Sequence, residues 1–470
     1  MRIWIDVEDL FQYAAHASRP SGIQRLAFEL QRAMQDLAPE DVRFVRHTTS
    51  GKGFKIISFF EINALFTNLS KPSASAKPQP PRIEGTVPLP PRVSLARRTG
   101  RRLMALLPLE VANPLRHFRA HQVEALRGLR YTAQACFQRV LPKKKAHLPV
   151  NVSVQDRPES RQAFEATAAP GDWLLSLGSP WQLKDYAGLV SAARARHGLR
   201  FALLIHDIVP LRRPEWCDRD VVKAFSACFH DVAPLADRVF SVSRATAEDA
   251  ERYAAEAGLA LKSRIQPIPL GTGFGQPPTP LRSERLPPPG SFALIVSTIE
   301  ARKNHVLLFR IWRELLATMP REKVPTLVFA GRVGWLVADL MQQLENADWL
   351  DGKIRLIEGP SDSELAALYE DCLFTLYPSL YEGWGLPVTE SLAHGTPCLA
   401  ANATSLPEAG GTLARYFDPD NLHGAVRAVR AVLDDPSALG AWRAEIQQDF
   451  RPTGWSESAA ATLRILGVPC

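Results

Sequence analysis

Residues 373–395 read LFTLYPSLYEGWGLPVTESLAHG. An apolar run, Leu373–Tyr377, stops at Pro378, and a loop punctuated by Gly383 and Gly385 leads to a helix-like stretch, Val388–Ala393, closed by Gly395. Proline suits a first helical turn because the N–H it lacks would have no partner there, and glycine accepts the left-handed stop. The same strand–loop–helix unit recurs on both sides. Apolar runs at Phe292–Ser297, Thr326–Ala330, Lys353–Ile357, Thr396–Ala400 and Arg415–Phe417 alternate with helix-like stretches at Val306–Leu316, Val337–Leu344, Asp362–Tyr369 and Leu422–Leu433. Six such repeats predict a parallel, doubly wound sheet. The runs lack polar alternation, as strands covered on both faces do.

The first half carries the same pattern with an interruption. Strands are expected at Arg2–Asp6, Val42–Arg46, Trp173–Leu177, Phe201–His206, Val239–Ser243 and Ile265–Ile268, with a helix at Gly22–Met34. Between them lies a proline-rich, basic segment, a poor core former that reads as an insertion at about 71–150. A second break in composition runs from Gly271 to Gly290. The expected organisation is a first α/β domain over 1–275, a linker at 276–290, a second α/β domain over 291–450 and a terminal stretch at 451–470. Two such sheets joined by a hinge place a cleft between their strand ends, where ligands of these sheets bind.

The chain has 470 residues, 46% apolar and 22% charged, so a sizeable core is expected. Its formal charge of +7 is unevenly spread: from Lys71 to His147 there are sixteen Lys and Arg against three acids, which leaves the other 393 residues at −6. The aromatics in that basic segment are Phe118, Tyr131 and Phe137, too few to interleave as a nucleic-acid surface requires. An anionic membrane leaflet is the better electrostatic partner for 75–147, and no nucleic-acid partner is expected. The six cysteines form no C-x-x-C pair, which argues against a disulfide scaffold or a zinc ribbon and for a reducing compartment. Asp6 comes too early for a signal peptide, and no apolar run approaches the ~20 residues of a membrane span. The expected location is cytoplasmic, with peripheral contact at the inner face of the cell membrane.

Within the quoted stretch Glu382 falls on the loop and Glu390 in the helix. Gly383 and Gly385 let backbone N–H groups approach an anion or hydroxyls, beside a carboxylate able to accept from sugar hydroxyls. Arg302 and Lys303 follow the first strand of the second domain, where two cations can stabilise a diphosphate leaving group without a metal. Two D-x-D triplets, Asp218/Asp220 and Asp418/Asp420, read as exposed turns rather than a metal pair, and no metal site is expected.

These features together resemble the retaining glycosyltransferases of family 4. Glu382 and Glu390 stand at that family's E-x7-E spacing, the Ser297–His305 segment looks like its diphosphate-binding loop, and the 454–459 stretch looks like its final helix. The resemblance is nearly continuous over about 291–460. It implies the GT-B fold: two Rossmann-like doubly wound domains facing a cleft, with a C-terminal helix crossing back to the first. It implies a retaining, metal-independent hexosyltransferase of surface-polysaccharide assembly. A sugar such as mannose would pass from a nucleotide-diphosphate donor to a glycan or lipid-linked acceptor. No cofactor is implied. Glu382 and His206 would be the catalytic residues, with His206 reaching the sugar's hydroxyls. Arg302, Lys303, Glu390, Gly383, Gly385, Leu386 and the single glycine Gly22 of the first-domain loop would bind the donor. The competing reading is a non-catalytic protein that binds nucleotide-sugars or an anionic surface on the same scaffold.

Overall fold

A computed structural model describes residues 1–17, 19–48, 50–70, 158–273 and 279–469. The basic insertion at about 71–150 and residues 276–278 of the linker lie outside these, as do Cys136 and Cys470. The first sheet contains β1 (Ile3–Asp6), β2 (Val42–His47), β3 (Phe54–Ile57), β4 (Trp173–Ser176), β5 (Arg200–Ile205), β6 (Arg238–Ser241) and β7 (Ile265–Pro267). Their order is β3-β2-β1-β4-β5-β6-β7. All neighbours are parallel except β3, which returns antiparallel to β2 and was not anticipated from the sequence.

The second sheet is wholly parallel. It comprises β8 (Phe292–Val296), β9 (Thr326–Gly331), β10 (Ile354–Glu358), β11 (Thr375–Tyr377), β12 (Cys398–Ala401) and β13 (Arg415–Phe417), in the order β10-β9-β8-β11-β12-β13. The six expected runs are all present, with no end shifted by more than two residues. Phe292, Ala293, Leu294 and Ile295 are fully buried, which explains the absence of polar alternation: helices cover both faces.

In each sheet the winding reverses beside its first strand, between β1 and β4 and between β8 and β11. Loops leaving the carboxyl ends of such a pair diverge and open a crevice. The helix Trp455–Leu466 returns to the first domain, where Ala459, Leu463 and Leu466 enter its core and the Trp173 indole N–H donates to the Leu466 carbonyl at 2.9 Å. The halves also meet through polar contacts: Arg25 pairs with Asp362 at 3.1 Å, and Glu408 accepts from the backbone N–H groups of Arg244 and Ala245 at 2.9 and 2.7 Å. That last contact places a carboxylate on the N-terminus of the helix Arg244–Glu256, the favourable end of its dipole. Two Rossmann-like domains and a returning helix are the GT-B arrangement. Among the described residues no helix is long and apolar enough to cross a membrane.

Candidate active site

The crevice between β8 and β11 gathers four charges. The loop after β8 supplies Glu300, Arg302 and Lys303, and the loop after β11 supplies Glu382. One Arg302 guanidinium nitrogen donates to Glu382 Oε2 at 2.7 Å and to the Tyr381 carbonyl at 2.8 Å, and the other meets Glu300 Oε1 at 3.0 Å. Lys303 Nζ donates to Glu382 Oε1 and to the Tyr377 hydroxyl, and that hydroxyl in turn donates to Glu382 Oε1 at 3.1 Å. The Glu382 N–H donates to the Thr404 hydroxyl at 2.9 Å, and the Ser405 hydroxyl donates to the carbonyls of Glu382 and Trp384.

Glu300, Lys303, Tyr377 and Glu382 are buried, with Glu382 6% exposed, while Arg302 is half-buried and Thr404 stands at the surface. Burial alone would raise the Glu382 pKa, but the adjacent Arg302 and Lys303 charges overcome that and hold it down at about 2. Burial pushes Glu300 up, against the pull of Arg302 and Lys303. Lys303 spends two of its three N–H donors on Tyr377 and Glu382, leaving one for an incoming oxygen. Two cations and two carboxylates balance in the crevice, with the N–H donors of both cations already oriented.

Glu390 lies in the helix Leu386–Ala393, as expected, accepting from the Tyr369 hydroxyl at 2.8 Å. Burial raises its pKa, opposed by that hydrogen bond and the Arg25 charge. The two loop glycines serve protein contacts in this structure. A Cβ on Gly383 would lie 1.9 Å from the His206 carbonyl oxygen, and the Thr246 hydroxyl donates to the Gly383 carbonyl at 3.1 Å. Gly385, at φ +117°, packs on Leu406. Leu386 opens the helix and packs against the first domain's core; its methyl is 3.9 Å from a Cβ built on Gly22. Gly22 itself begins the helix Gly22–Leu37, so donor-loop residues and Gly22 face each other across the cleft.

His206 ends the β5 run beside this loop, buried, with Nε2 2.8 Å from the Leu177 carbonyl; burial lowers its pKa, so it is held neutral. Its ring is thus engaged within the first domain, while its carbonyl is what abuts Gly383. Ser243 caps the helix Arg244–Glu256, accepting from the Thr246 N–H at 3.0 Å. Asp218 accepts from the Asp220 N–H as a helix cap and Asp418 accepts from the Asp420 N–H in a turn, so neither triplet aims paired carboxylates at a crevice. Among the described residues no three His, Cys, Asp or Glu side chains are grouped as metal ligands. Sequence reasoning gave no role to Tyr377, Glu300 or Thr404. Tyr377 looked like the end of an apolar run, and Thr404 comes from a third loop, after β12.

A crevice of this kind between two doubly wound domains is a feature of the GT-B fold. Residues 281–449 match the family described as glycosyl transferases group 1. The chain is 28% identical over 275 residues to the O-antigen chain mannosyltransferase B of Escherichia coli, covering 56% of this chain and 69% of the relative. It is likewise 28% identical over 290 residues to the serotype-specific mannosyltransferase WbdA of Escherichia coli, of which only 33% is spanned. A D-inositol 3-phosphate glycosyltransferase of Catenulispora acidiphila is 32% identical over 190 residues, 38% of this chain and 43% of that one. Among solved structures, TarM superposes with a TM-score of 0.47 at 14% identity, over 65% of this chain and 57% of TarM. Anabaena Alr3699/HepE in complex with UDP superposes at 0.46 and 16%, over 65% and 80%. Superpositions this loose carry no argument about function.

Proposed function

We propose that the chain is a family 4 enzyme that transfers a sugar, with retention, from a nucleotide-diphosphate donor to a glycan or lipid-linked acceptor in surface-polysaccharide assembly. The observation that carries this reading is the Arg302–Lys303–Glu382 cluster at the β8/β11 crevice, against the His206 segment of the other domain. As the bond from C1 to the diphosphate oxygen breaks, negative charge grows on the diphosphate, and Arg302 and Lys303 stabilise it. The acceptor hydroxyl forms the new bond to C1 on the same face and gives its proton to the departing phosphate oxygen, so no side chain need attack. Glu382, ionised and fixed by the two cations, positions donor and cations; Glu390 is placed to accept from ribose hydroxyls. The mannosyltransferase relatives favour mannose as the sugar. The domain over 291–450 would hold the donor, and that over 1–275 the acceptor.

The test is a thermal-shift panel of GDP, UDP and their sugars, followed by turnover of the Glu382→Gln variant. A nucleoside diphosphate should raise the melting temperature by mass action. The variant should keep that shift while transfer falls by about 100- to 1000-fold. Absence of any nucleotide-dependent shift, or normal turnover in the variant, would overturn the assignment. A chelator should leave the rate unchanged. The basic 75–147 segment is proposed to contact anionic lipid at the inner membrane face. Deleting it should abolish co-sedimentation with phosphatidylserine vesicles; unchanged sedimentation removes that part.

A further inference from the structure

Two large apolar side chains stand exposed beside this crevice: Trp335 is 46% exposed and Leu336 58%. They belong to the segment that leaves β9, whose backbone pairs with the donor-side loop. The Ile299 N–H donates to the Arg332 carbonyl at 2.9 Å, and the Gly334 N–H donates to the Ile299 carbonyl at 2.8 Å. Gly334 is pressed onto that loop, since a Cβ there would lie 2.7 Å from a Thr298 methyl and 2.9 Å from the Ile299 oxygen. Leu336 holds a left-handed φ of +58°, a conformation that a leucine adopts only when its surroundings impose it.

Trp335 is fixed from the opposite domain. Its indole N–H donates to the Trp216 carbonyl at 2.9 Å, and the Arg213 guanidinium sits 4.3 Å from the Trp216 ring centroid. Trp216 ends the short turn Pro214–Trp216, which follows the His206 segment, and its neighbour Cys217 lies in the fields of Asp207, Arg302 and Glu300. The pair therefore bridges the two halves at the rim of the charged crevice. Exposed apolar side chains scattered singly need no explanation. Here a strained backbone, an obligatory glycine and a hydrogen bond between domains together hold an indole ring open to solvent next to the site.

We propose that Trp335, oriented by Trp216, is a platform for a pyranose ring of the acceptor glycan, one or two residues from the hydroxyl that receives the sugar. A pyranose has an apolar C–H face and a hydroxyl rim. An indole packs against the first, and the Arg213 guanidinium stacked on Trp216, whose carbonyl holds the indole, offers donors to the second. This inference rests on the glycosyltransferase reading above.

The test uses the full chain, as wild type, Trp335→Ala and Trp335→Phe, in two stages. GDP and UDP thermal shifts come first; they test the donor reading and should be the same in all three proteins. Tryptophan-fluorescence and saturation-transfer NMR titrations follow, with α-linked mannotriose, maltotriose and a rhamnose trisaccharide, in the presence of the nucleotide that binds. At least one trisaccharide should bind the wild type. Its Kd should rise tenfold or more in Trp335→Ala and stay within about threefold in Trp335→Phe, with melting temperatures unchanged. Nucleotide binding combined with equal saccharide affinity in Trp335→Ala, or with no saccharide binding to the wild type, overturns this platform and leaves the donor reading standing. Failure of nucleotide binding in the wild type overturns the donor reading and this inference with it.

Discussion

The two domains repeat one architecture and place opposite chemistry at the same point in it. Each winds outward from its first strand and opens a crevice there, and in each the two loops flanking the crevice are tied by a buried carboxylate. In the second domain Glu382 is bound by Arg302 and Lys303. In the first, Asp9 after β1 accepts from the N–H and hydroxyl of Ser179 after β4, at 2.8 and 3.2 Å, without a cation on it in those contacts. Asp6 and Glu8 beside it pair with His47 and Arg46 at 2.9 Å, and Gln24 and Gln31 line the same small cavity. The environments drive the two carboxylates apart. Burial raises Asp9 to about 6, with the Ser179 hydrogen bonds only partly opposing it, whereas the cations keep Glu382 at about 2. A carboxylate held by two cations leaves cationic donors that can meet an anion; one held by a serine beside amides can meet hydroxyls.

The largest effect should come from breaking the charged side. Lys303→Met removes one of the two cations on Glu382 and the Tyr377 hydrogen bond, leaving a buried carboxylate partly unpaired. Loss of one partner of a buried pair costs about 3–5 kcal/mol. Urea denaturation should show a loss near the lower figure, since Arg302 remains, and calorimetry should show nucleoside diphosphate binding weakened by about 100-fold. A loss under about 1 kcal/mol would mean that the paired charges do not hold this crevice together.

A glycine sits against each crevice, and the two should respond unequally. A Cβ on Gly383 meets the His206 backbone carbonyl at 1.9 Å, whereas a Cβ on Gly178 meets the Asp9 carboxylate at the same distance. Backbone cannot move aside as a side-chain end can. Gly383→Ala should therefore displace the Glu382 loop from the first domain and lower transfer by about 100-fold, the scale expected for a misplacement of about 1 Å. Gly178→Ala should lower it by less, on the order of tenfold, by turning Asp9. Equal effects would break the asymmetry drawn between the crevices.

The sequence made the second domain more legible than the first for the same reason. Its four central strands, β8, β9, β11 and β12, are buried on both faces and its repeats are uninterrupted, so apolar runs alone located them. Arg302 and Lys303 were visible as paired cations after a strand end, and Glu382 and Glu390 through a spacing that resembles the family 4 motif. What the sequence hid was tertiary. The β3 strand is only Phe54–Ile57, and its place is set by pairing with β2, not by its own periodicity. Glu382 looked like a free loop acceptor, yet its oxygens are taken by two cations from a segment about 80 residues earlier. Gly383 and Gly385 were read as approaches to a ligand, and the close fit of Gly383 to the His206 carbonyl and of Gly385 to Leu406 was not foreseen. Asp6 was noticed only as an early acid, and Glu8 and Asp9 not at all, because nothing local says that three acids in four residues will all be buried.

Asp9 gives the comparison a pH signature. In the folded chain it titrates at about 6, against 3.8 for an ordinary aspartate. Between those values the folded state holds a proton that the unfolded chain has released, so this residue's contribution to stability rises as pH falls from about 6 to 4. Asp9→Asn should remove that slope. Denaturation at pH 7.5 and 4.5 should show the wild type gaining about 2 kcal/mol relative to the variant on acidification. Glu382 contributes with the opposite sign: its stabilisation is present above 4.5 and is lost as pH falls toward 2, so the two crevices separate in one titration.

The smallest effect belongs to Asp218, which lies outside both crevices. Its carboxylate accepts from the Asp220 N–H at 2.8 Å and starts the helix Arg219–Val232. Removing such a cap costs about 1 kcal/mol. Asp218→Ala should therefore lower stability by that amount while leaving transfer, with or without added Mn²⁺, unchanged within about twofold. A hundredfold loss of transfer restored by Mn²⁺ would give the D-x-D triplet a metal role, and donor binding could then no longer be assigned to the cations of the second crevice alone.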